Sequence, residues 1–156
     1  MEFMEFQPNS LKQREALFSK NRIMLFGAGT QGGKTTVGAV RTKVRFHYWE
    51  EADPKNSNFL ITAPTYKIMS QSTLPAFFKV MHGCGWHNKK EDVFQSPKGP
   101  KIYFRTEHDP DSIIGITNIR HIWCDEAGLY RLYFWQNIQA RADFLGCQID
   151  LTTSPY

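Results

Sequence analysis

A glycine-rich loop between an apolar run and a helix-forming stretch constrains this chain more than any other feature of its sequence. Residues 22–27 (RIMLFG) form a short apolar run that ends in glycine, which is typical of a buried strand. Residues 34–50 contain no proline and predict a long helix. The loop that joins the two lies within residues 27–36, whose sequence is GAGTQGGKTT. The order strand, glycine loop, helix indicates an α/β fold.

The same alternation continues along the chain. Buried strands that alternate with helices predict an α/β fold of three layers, with a mainly parallel central sheet covered on both faces. A length of 156 residues with 41% hydrophobic residues suits one such domain. Pro75 should start, kink or divide the helix that contains it. Further strands are predicted at 58–63, 119–124 and 148–153, a hairpin at 93–105, and further helices at 10–19, 66–81 and 129–144.

The glycine loop has the composition and the context of a phosphate-binding P-loop. Its glycines allow backbone N–H groups to turn toward phosphate oxygens, at the positive end of the helix dipole. Lys34 can reach the β- and γ-phosphates, and the Thr35 hydroxyl can ligate Mg²⁺. Strict P-loop spacing would place a glycine at Ala28, so the match is near-complete. The predicted nucleotide-binding residues here are Gly29, Thr30, Gln31, Gly32, Gly33, Lys34, Thr35 and Thr36.

Two carboxylates follow the predicted strand at 119–124. Asp125, at the carboxyl end of this strand, can hold Mg²⁺ directly or through water. Glu126 can orient the water that attacks a γ-phosphate, or accept the proton of that water. The pair of carboxylates therefore favours hydrolysis over transfer of the phosphate to a bound acceptor. An Asp-Glu pair that merely caps a helix is the structural alternative. The hydroxyls of Thr152, Thr153 and Ser154 end the last predicted strand, where they can meet a γ-phosphate.

Taken in this order, these motifs resemble the ATPase domain of the large terminase subunit of tailed bacteriophages. Residues 8–16 resemble the segment in which that family places a glutamine near the adenine, here Gln13. The resemblance makes residues 27–36 a Walker A motif, 119–126 a Walker B motif with catalytic Glu126, and 152–155 a coupling motif. It implies a P-loop NTPase of the additional-strand, catalytic-glutamate type.

The resemblance also implies an activity and a set of partners. The expected activity is hydrolysis of ATP with Mg²⁺, coupled to translocation of double-stranded DNA into the procapsid. The expected assembly is a homo-oligomeric ring, pentameric by analogy, docked on the portal protein and helped by a small terminase subunit. It would work in the host bacterial cytoplasm, transiently docked on the procapsid. We expect residues 1–156 to be the truncated N-terminal part of the ATPase domain, without the family's downstream nuclease domain.

Two alternatives remain open at this point. A DNA helicase or repair-type ATPase shares the Walker and coupling motifs, and a non-catalytic nucleotide-binding assembly module would bind without turnover. Many terminases carry an arginine in the Walker A loop, where this chain has Thr30 and Gln31, and another where it has Ile114. The arginine finger is therefore unassigned, with Arg105, Arg120 and Arg141 as candidates.

The remaining charges and thiols suggest less. The formal charge is +4, and Arg41 with Arg45, or the lysines at 89, 90, 98 and 101, could follow a DNA backbone or simply be solvated. Three scattered cysteines predict free thiols. His82, Cys84 and His87 lack the paired spacing of a zinc site. No apolar run is long enough to span a membrane, so no membrane partner is expected.

Overall fold

The computed structural model describes residues 6–29 and 33–155. Within them, a seven-stranded sheet has the strand order β1-β7-β6-β2-β5-β4-β3. The first five strands in that order are parallel, and β4 and β3 continue the sheet as antiparallel strands. The strands are β1 (Ile23–Gly27), β2 (Asn58–Ala63), β3 (Trp86–Asn88), β4 (Val93–Gln95), β5 (Lys101–Thr106), β6 (Ile119–Asp125) and β7 (Gln148–Thr153).

Helices cover both faces of the sheet. One face of β2 packs Phe59 and Ile61 in a cluster with Phe46, whereas Leu60 packs on the other face with Phe134. This confirms the three-layer α/β prediction. The helices are α1 (Leu11–Phe18), α2 (Lys34–Ala52), α3 (Tyr66–Ile68), α4 (Leu74–Val80) and α5 (Leu132–Ala142), with a π-helical turn (Met69–Thr73) between α3 and α4.

The last of the described strands, β7, lies in the interior of the sheet. β7 pairs with β1 on one side and with β6 on the other. The strand before the glycine loop and the strand that ends in Asp125 are therefore separated by one strand, which is the arrangement that the term additional-strand describes. Among the described strands, β1 lies at the edge: Met24 and Phe26 are buried, but Leu25 is 65% exposed. The prediction of a buried strand is therefore wrong for one face of β1.

Local sequence explains most element boundaries. Ser10 caps α1, since its side chain accepts a hydrogen bond from the Gln13 amide. Pro75 lacks an N–H group and lies at the start of α4, directly after the π-helical turn. The helix predicted at 66–81 is thus divided into three parts. The short strand β3 has no counterpart among the predicted elements.

Helix α2 lies unusually close to β6. A Cβ atom at Gly38 would fall 2.2 Å from the indole ring of Trp123, so only glycine lets the two elements approach this far. Trp123 is fully buried, and its Nε1 donates to Thr152 Oγ1 at 2.8 Å. This contact connects the helix after the glycine loop to both β6 and β7.

A buried ion pair ties the first helices to the sheet. Arg41 donates two hydrogen bonds to Asp150, of 2.6 and 2.9 Å, and His121 Nε2 lies 2.7 Å from the same carboxylate. Arg41 Nη1 also donates to the carbonyl oxygen of Ala16 at 2.5 Å. Arg41 is 2% exposed, so the suggestion that it contacts DNA or is solvated is wrong. DNA contact by the hairpin lysines stays a prediction, although Lys98 forms an ion pair with Glu51.

The three thiols differ in accessibility. All three are free, and Cys124 and Cys147 are buried whereas Cys84 is partly exposed. Burial raises the pKa of Cys124 to about 12 and also raises the pKa of Cys147. Cys84 Sγ lies 3.8 Å from His47 Nε2, near the end of α2. Because the thiolate is the reactive form, Cys84 should account for the thiol reactivity of the native chain.

We therefore expect an aromatic disulfide reagent at pH 8 to titrate one thiol per native chain and all three after unfolding. The measurement is thiolate release followed by absorbance. Cys84→Ser should lower the native value to none while leaving two thiols in the unfolded chain. Rapid modification of native Cys84→Ser would show that the buried assignment of the other thiols is wrong.

Candidate active site

Several of the predicted site residues lie at or just after the ends of three neighbouring parallel strands. Gly27 at the end of β1 is opposite Thr153 of β7, and Asp125 at the end of β6 is opposite Thr152. The carboxyl ends of parallel strands lie at one edge of a sheet, where α/β proteins bind ligands. Gly27, at the start of the glycine loop, the two carboxylates and the three hydroxyl residues therefore share one edge.

The glycine loop enters α2 through a left-handed residue. Gly33 has φ +67°, and a Cβ atom there would lie 2.5 Å from Gln13 Nε2. Both observations require glycine at this position. Gln13 is buried against the end of the loop, and its Oε1 accepts a hydrogen bond from the Asn9 amide at 2.7 Å. The structure thus places Gln13 beside the predicted phosphate loop, and its role toward adenine stays a prediction.

Other loop residues are placed only in part. Gly29 is exposed two residues after the end of β1, and Thr35 and Thr36 lie partly buried in the first turn of α2. Residues 30–32, which include the predicted ligands Thr30, Gln31 and Gly32, lie outside the described residues.

Lys34 and Glu126 form an ion pair in the site. Lys34 Nζ lies 3.2 Å from Glu126 Oε1, and the lysine is 6% exposed. Glu126 also accepts hydrogen bonds from Ser154, at 2.9 Å from the amide and 3.2 Å from the hydroxyl. The glutamate has φ +49°, a left-handed conformation that costs a non-glycine residue roughly 1–2 kcal/mol. These contacts hold its side chain over the end of β7.

Asp125 is held by two hydroxyl groups. Thr73 Oγ1 donates to Asp125 Oδ2 at 2.7 Å, and Thr152 Oγ1 donates to Oδ1 at 2.9 Å. Asp125 is fully buried, and burial raises the pKa of its carboxyl, although these two hydrogen bonds act to lower it. The sequence motifs do not include Thr73, because nothing in its local sequence marks it as a site residue.

The predicted coupling residues contact the two acidic residues and the turn that follows them. Thr152 binds Asp125, and Ser154 binds Glu126. Thr153 Oγ1 accepts a hydrogen bond from the Gly128 amide at 3.1 Å, in the turn just after Glu126. Each of the three residues therefore connects the end of β7 to the end of β6.

The donor atoms suit Mg²⁺ held together with a phosphate. Carboxylate and hydroxyl oxygens are ligands that Mg²⁺ accepts, and it usually combines one or two carboxylates with water and substrate phosphates. Asp125 and Thr35 are the residues that would hold it. In the described ranges, no group of three or more histidine, cysteine or acidic residues could form a metal cage of its own, including at His82, Cys84 and His87.

Solved structures resemble this chain over nearly its whole length. The large terminase of a thermophilic bacteriophage has a TM-score of 0.77 with 19% identity, covering 96% of this chain and 40% of that one. The large terminase ATPase domain of Thermus phage P74-26 has a TM-score of 0.76 with 16% identity, covering 99% and 68% respectively. The HK97 bacteriophage large terminase has a TM-score of 0.70 with 10% identity, covering 96% and 33%.

This chain has the fold of a large terminase ATPase domain. The resemblance inferred from the motifs is therefore confirmed at the level of the fold. The terminase fold in this chain spans less than half of two of those proteins and about two thirds of the Thermus phage domain. The terminase of the thermophilic bacteriophage has also been solved in complex with ADP and with ATP-gamma-S. No family model matches the sequence, and no curated protein matches it.

The arginine-finger candidates in this terminase fold have other contacts. Arg120 stacks on Trp49, with its Cζ 4.1 Å from the ring centroid, and pairs with Asp53 at 2.9 Å. Arg141 Nη1 donates to the Ile114 carbonyl. Arg105 Nη1 donates to the backbone carbonyl oxygens of Asp92 and Phe104. The arginine finger stays unassigned.

None of the helices in the described parts of the chain is long and apolar enough to cross a membrane.

Proposed function

We propose that this chain binds ATP with Mg²⁺ and hydrolyses it as the ATPase part of a DNA-packaging terminase. The observation that carries the proposal is the convergence of Lys34, Asp125 and Glu126 at one edge of a terminase-type sheet. The complexes of a similar terminase with ADP and ATP-gamma-S support a nucleotide as the ligand.

The ion pair between Lys34 and Glu126 suggests how binding prepares the site for hydrolysis. A nucleotide phosphate competes with the glutamate for the lysine ammonium group, which is a general phosphate ligand in P-loops. Once Lys34 turns to the phosphate, Glu126 is released from its cationic partner and stays anchored by Ser154. Glu126 is then able to orient the attacking water and accept its proton.

Asp125 and Thr35 serve the metal in this scheme. When bound, Mg²⁺ supplies positive charge to the phosphate oxygens during transfer. Thr73 and Thr152 fix the orientation of the Asp125 carboxylate beforehand. The ends of β6 and β7 are linked at Thr152, Thr153 and Ser154, so a change at the phosphate can reach β7 through these contacts. This is the physical basis that we propose for coupling.

The larger assembly belongs to the proposal too. We propose that double-stranded DNA is the translocated substrate, and that a homo-oligomeric ring, pentameric by family analogy, contacts a portal protein and a small terminase subunit. The proposed place of action is the host cytoplasm, on the procapsid. The likeness to three phage terminases supports this choice over a helicase or a repair ATPase.

Calorimetric titration with Mg²⁺ and a slowly hydrolysed ATP analogue tests the nucleotide site. We expect the 156-residue chain to bind, and Lys34→Ala to weaken binding by at least about 100-fold, because a buried charge-assisted phosphate contact is lost. Lys89→Ala, an equal charge change at an exposed turn, is the matched control and should bind normally. No binding by the folded wild-type chain, or equal binding by Lys34→Ala, would overturn the proposal.

A further inference from the structure

Thr73 reaches the nucleotide site from a part of the chain outside all the motifs. It is the last residue of the π-helical turn Met69–Thr73, and it is fully buried. Its hydroxyl donates to Asp125 Oδ2 at 2.7 Å, across 52 residues of sequence. A hydroxyl donating to a carboxylate is among the stronger hydrogen bonds in proteins.

The two oxygens of Asp125 are held from opposite directions in the sequence. Oδ1 accepts from Thr152, on β7, and from the Glu126 amide at 3.2 Å, and Oδ2 accepts from Thr73, on the segment that follows β2. A carboxylate offers about four lone-pair sites, so Oδ2 keeps acceptor capacity after binding the Thr73 hydroxyl, whereas Oδ1 already accepts two hydrogen bonds. The two hydroxyl donors, on different elements, fix the plane of the carboxylate, and the remaining lone pair of Oδ2 then points in a set direction.

The π-helical turn determines which side chain faces Asp125. A π turn contains one more residue than an α turn, and π turns occur frequently at functional sites. Each residue of an α-helix rotates the side-chain direction by about 100°, so removing one residue from the turn would direct a neighbour of Thr73 to the sheet. Pro75, just after the turn, cannot donate the hydrogen bond that a regular helix would need there.

We propose that Thr73 is a positioning residue for Mg²⁺-dependent nucleotide binding, acting by holding the Asp125 carboxylate in the orientation that the metal requires. This role rests on the proposed function. Thr73 itself is not expected to touch the nucleotide or the metal. Its contribution should therefore be seen in the effect of Mg²⁺ on nucleotide affinity, and not in affinity measured without metal.

The test compares Thr73→Val, which keeps the shape but loses the hydroxyl, with Thr73→Ser, which keeps the hydroxyl. Calorimetry with ATP-gamma-S is run once with Mg²⁺ and once with a chelator. In wild type, Mg²⁺ should increase the affinity for ATP-gamma-S. In Thr73→Val, the factor by which Mg²⁺ increases this affinity should be about tenfold smaller. Thr73→Ser should retain it within about twofold. Thr42→Val is the matched control, because Thr42 is equally buried but donates to the Gly38 carbonyl.

The outcomes separate the two proposals. If wild type does not bind nucleotide, the proposed function fails and the role of Thr73 fails with it. If wild type shows the Mg²⁺ increment and Thr73→Val keeps it, only the role of Thr73 is overturned. An equal loss with and without Mg²⁺ would indicate a purely structural residue and would also overturn it. If circular dichroism shows that Thr73→Val is unfolded, Thr73→Ala replaces it, with the same expected loss.

Discussion

Replacing Glu126 with glutamine should leave nucleotide binding intact and slow ATP hydrolysis by a factor of about 10² to 10⁴, the usual contribution of a general base. The amide keeps the shape of the side chain and can still accept a hydrogen bond from the Ser154 amide. It cannot accept a proton from water, and it no longer forms an ion pair with Lys34. Phosphate release measures hydrolysis, and calorimetry measures binding.

The released lysine gives this variant a second expected property. Because Lys34 no longer pairs with a carboxylate, Glu126→Gln should bind a slowly hydrolysed ATP analogue at least as tightly as wild type does. Glu107→Gln is the matched control, since Glu107 is a carboxylate that pairs with Arg131 and carries no role in this scheme. A Glu126→Gln variant that hydrolyses ATP at the wild-type rate would show that the catalytic assignment is wrong.

Replacing Asp150 with asparagine should destabilise the chain by about 3–5 kcal/mol, because it leaves the buried Arg41 guanidinium without its counter-charge. Both side chains of the pair are nearly inaccessible, and the aspartate also contacts His121. A loss of this size is a large fraction of the roughly 5–15 kcal/mol by which domains are ordinarily stable. Urea unfolding followed by circular dichroism measures it.

An exposed ion pair provides the control. Asp143→Asn removes the partner of Arg22, in a pair whose aspartate side chain is 70% exposed, and should cost less than about 1 kcal/mol. If Asp143→Asn and Asp150→Asn had equal effects, the buried pair would not be the stabilising contact that its geometry indicates.

The same pair predicts how stability depends on pH. Burial raises the pKa of Asp150, but the opposing effect of His121 and Arg41 is larger. The pKa of this carboxyl is therefore about 2, against an ordinary value of 3.8. Since the folded-state pKa lies below the unfolded one, this contribution of about 2 kcal/mol is present above about pH 4 and is lost as the pH falls toward about 2. In Asp150→Asn, that part of the acid destabilisation should be absent.

Much of the fold could be predicted because its signals are local. Apolar runs that end in glycine or in carboxylates mark β1 and β6, and Ser10 marks the start of α1. The strand β3 was not predicted, because three residues with partly exposed side chains carry too short a pattern. The exposed face of β1 was not predicted either, since an apolar run does not reveal whether its strand lies in the centre of a sheet or at its edge.

The sequence by itself determined which residues could do chemistry: a lysine after a glycine loop, a carboxylate pair after a strand, and hydroxyls after another strand. These are short-range patterns, in which neighbouring residues share one loop or one strand end. Only the tertiary structure decided that Lys34 pairs with Glu126, that Ser154 holds that glutamate, that Thr73 holds Asp125 and that Arg41 is buried on Asp150. Each of these contacts joins residues at least 28 positions apart, and it exists because the order of the parallel strands and the packing of helices against them bring distant side chains to the same place.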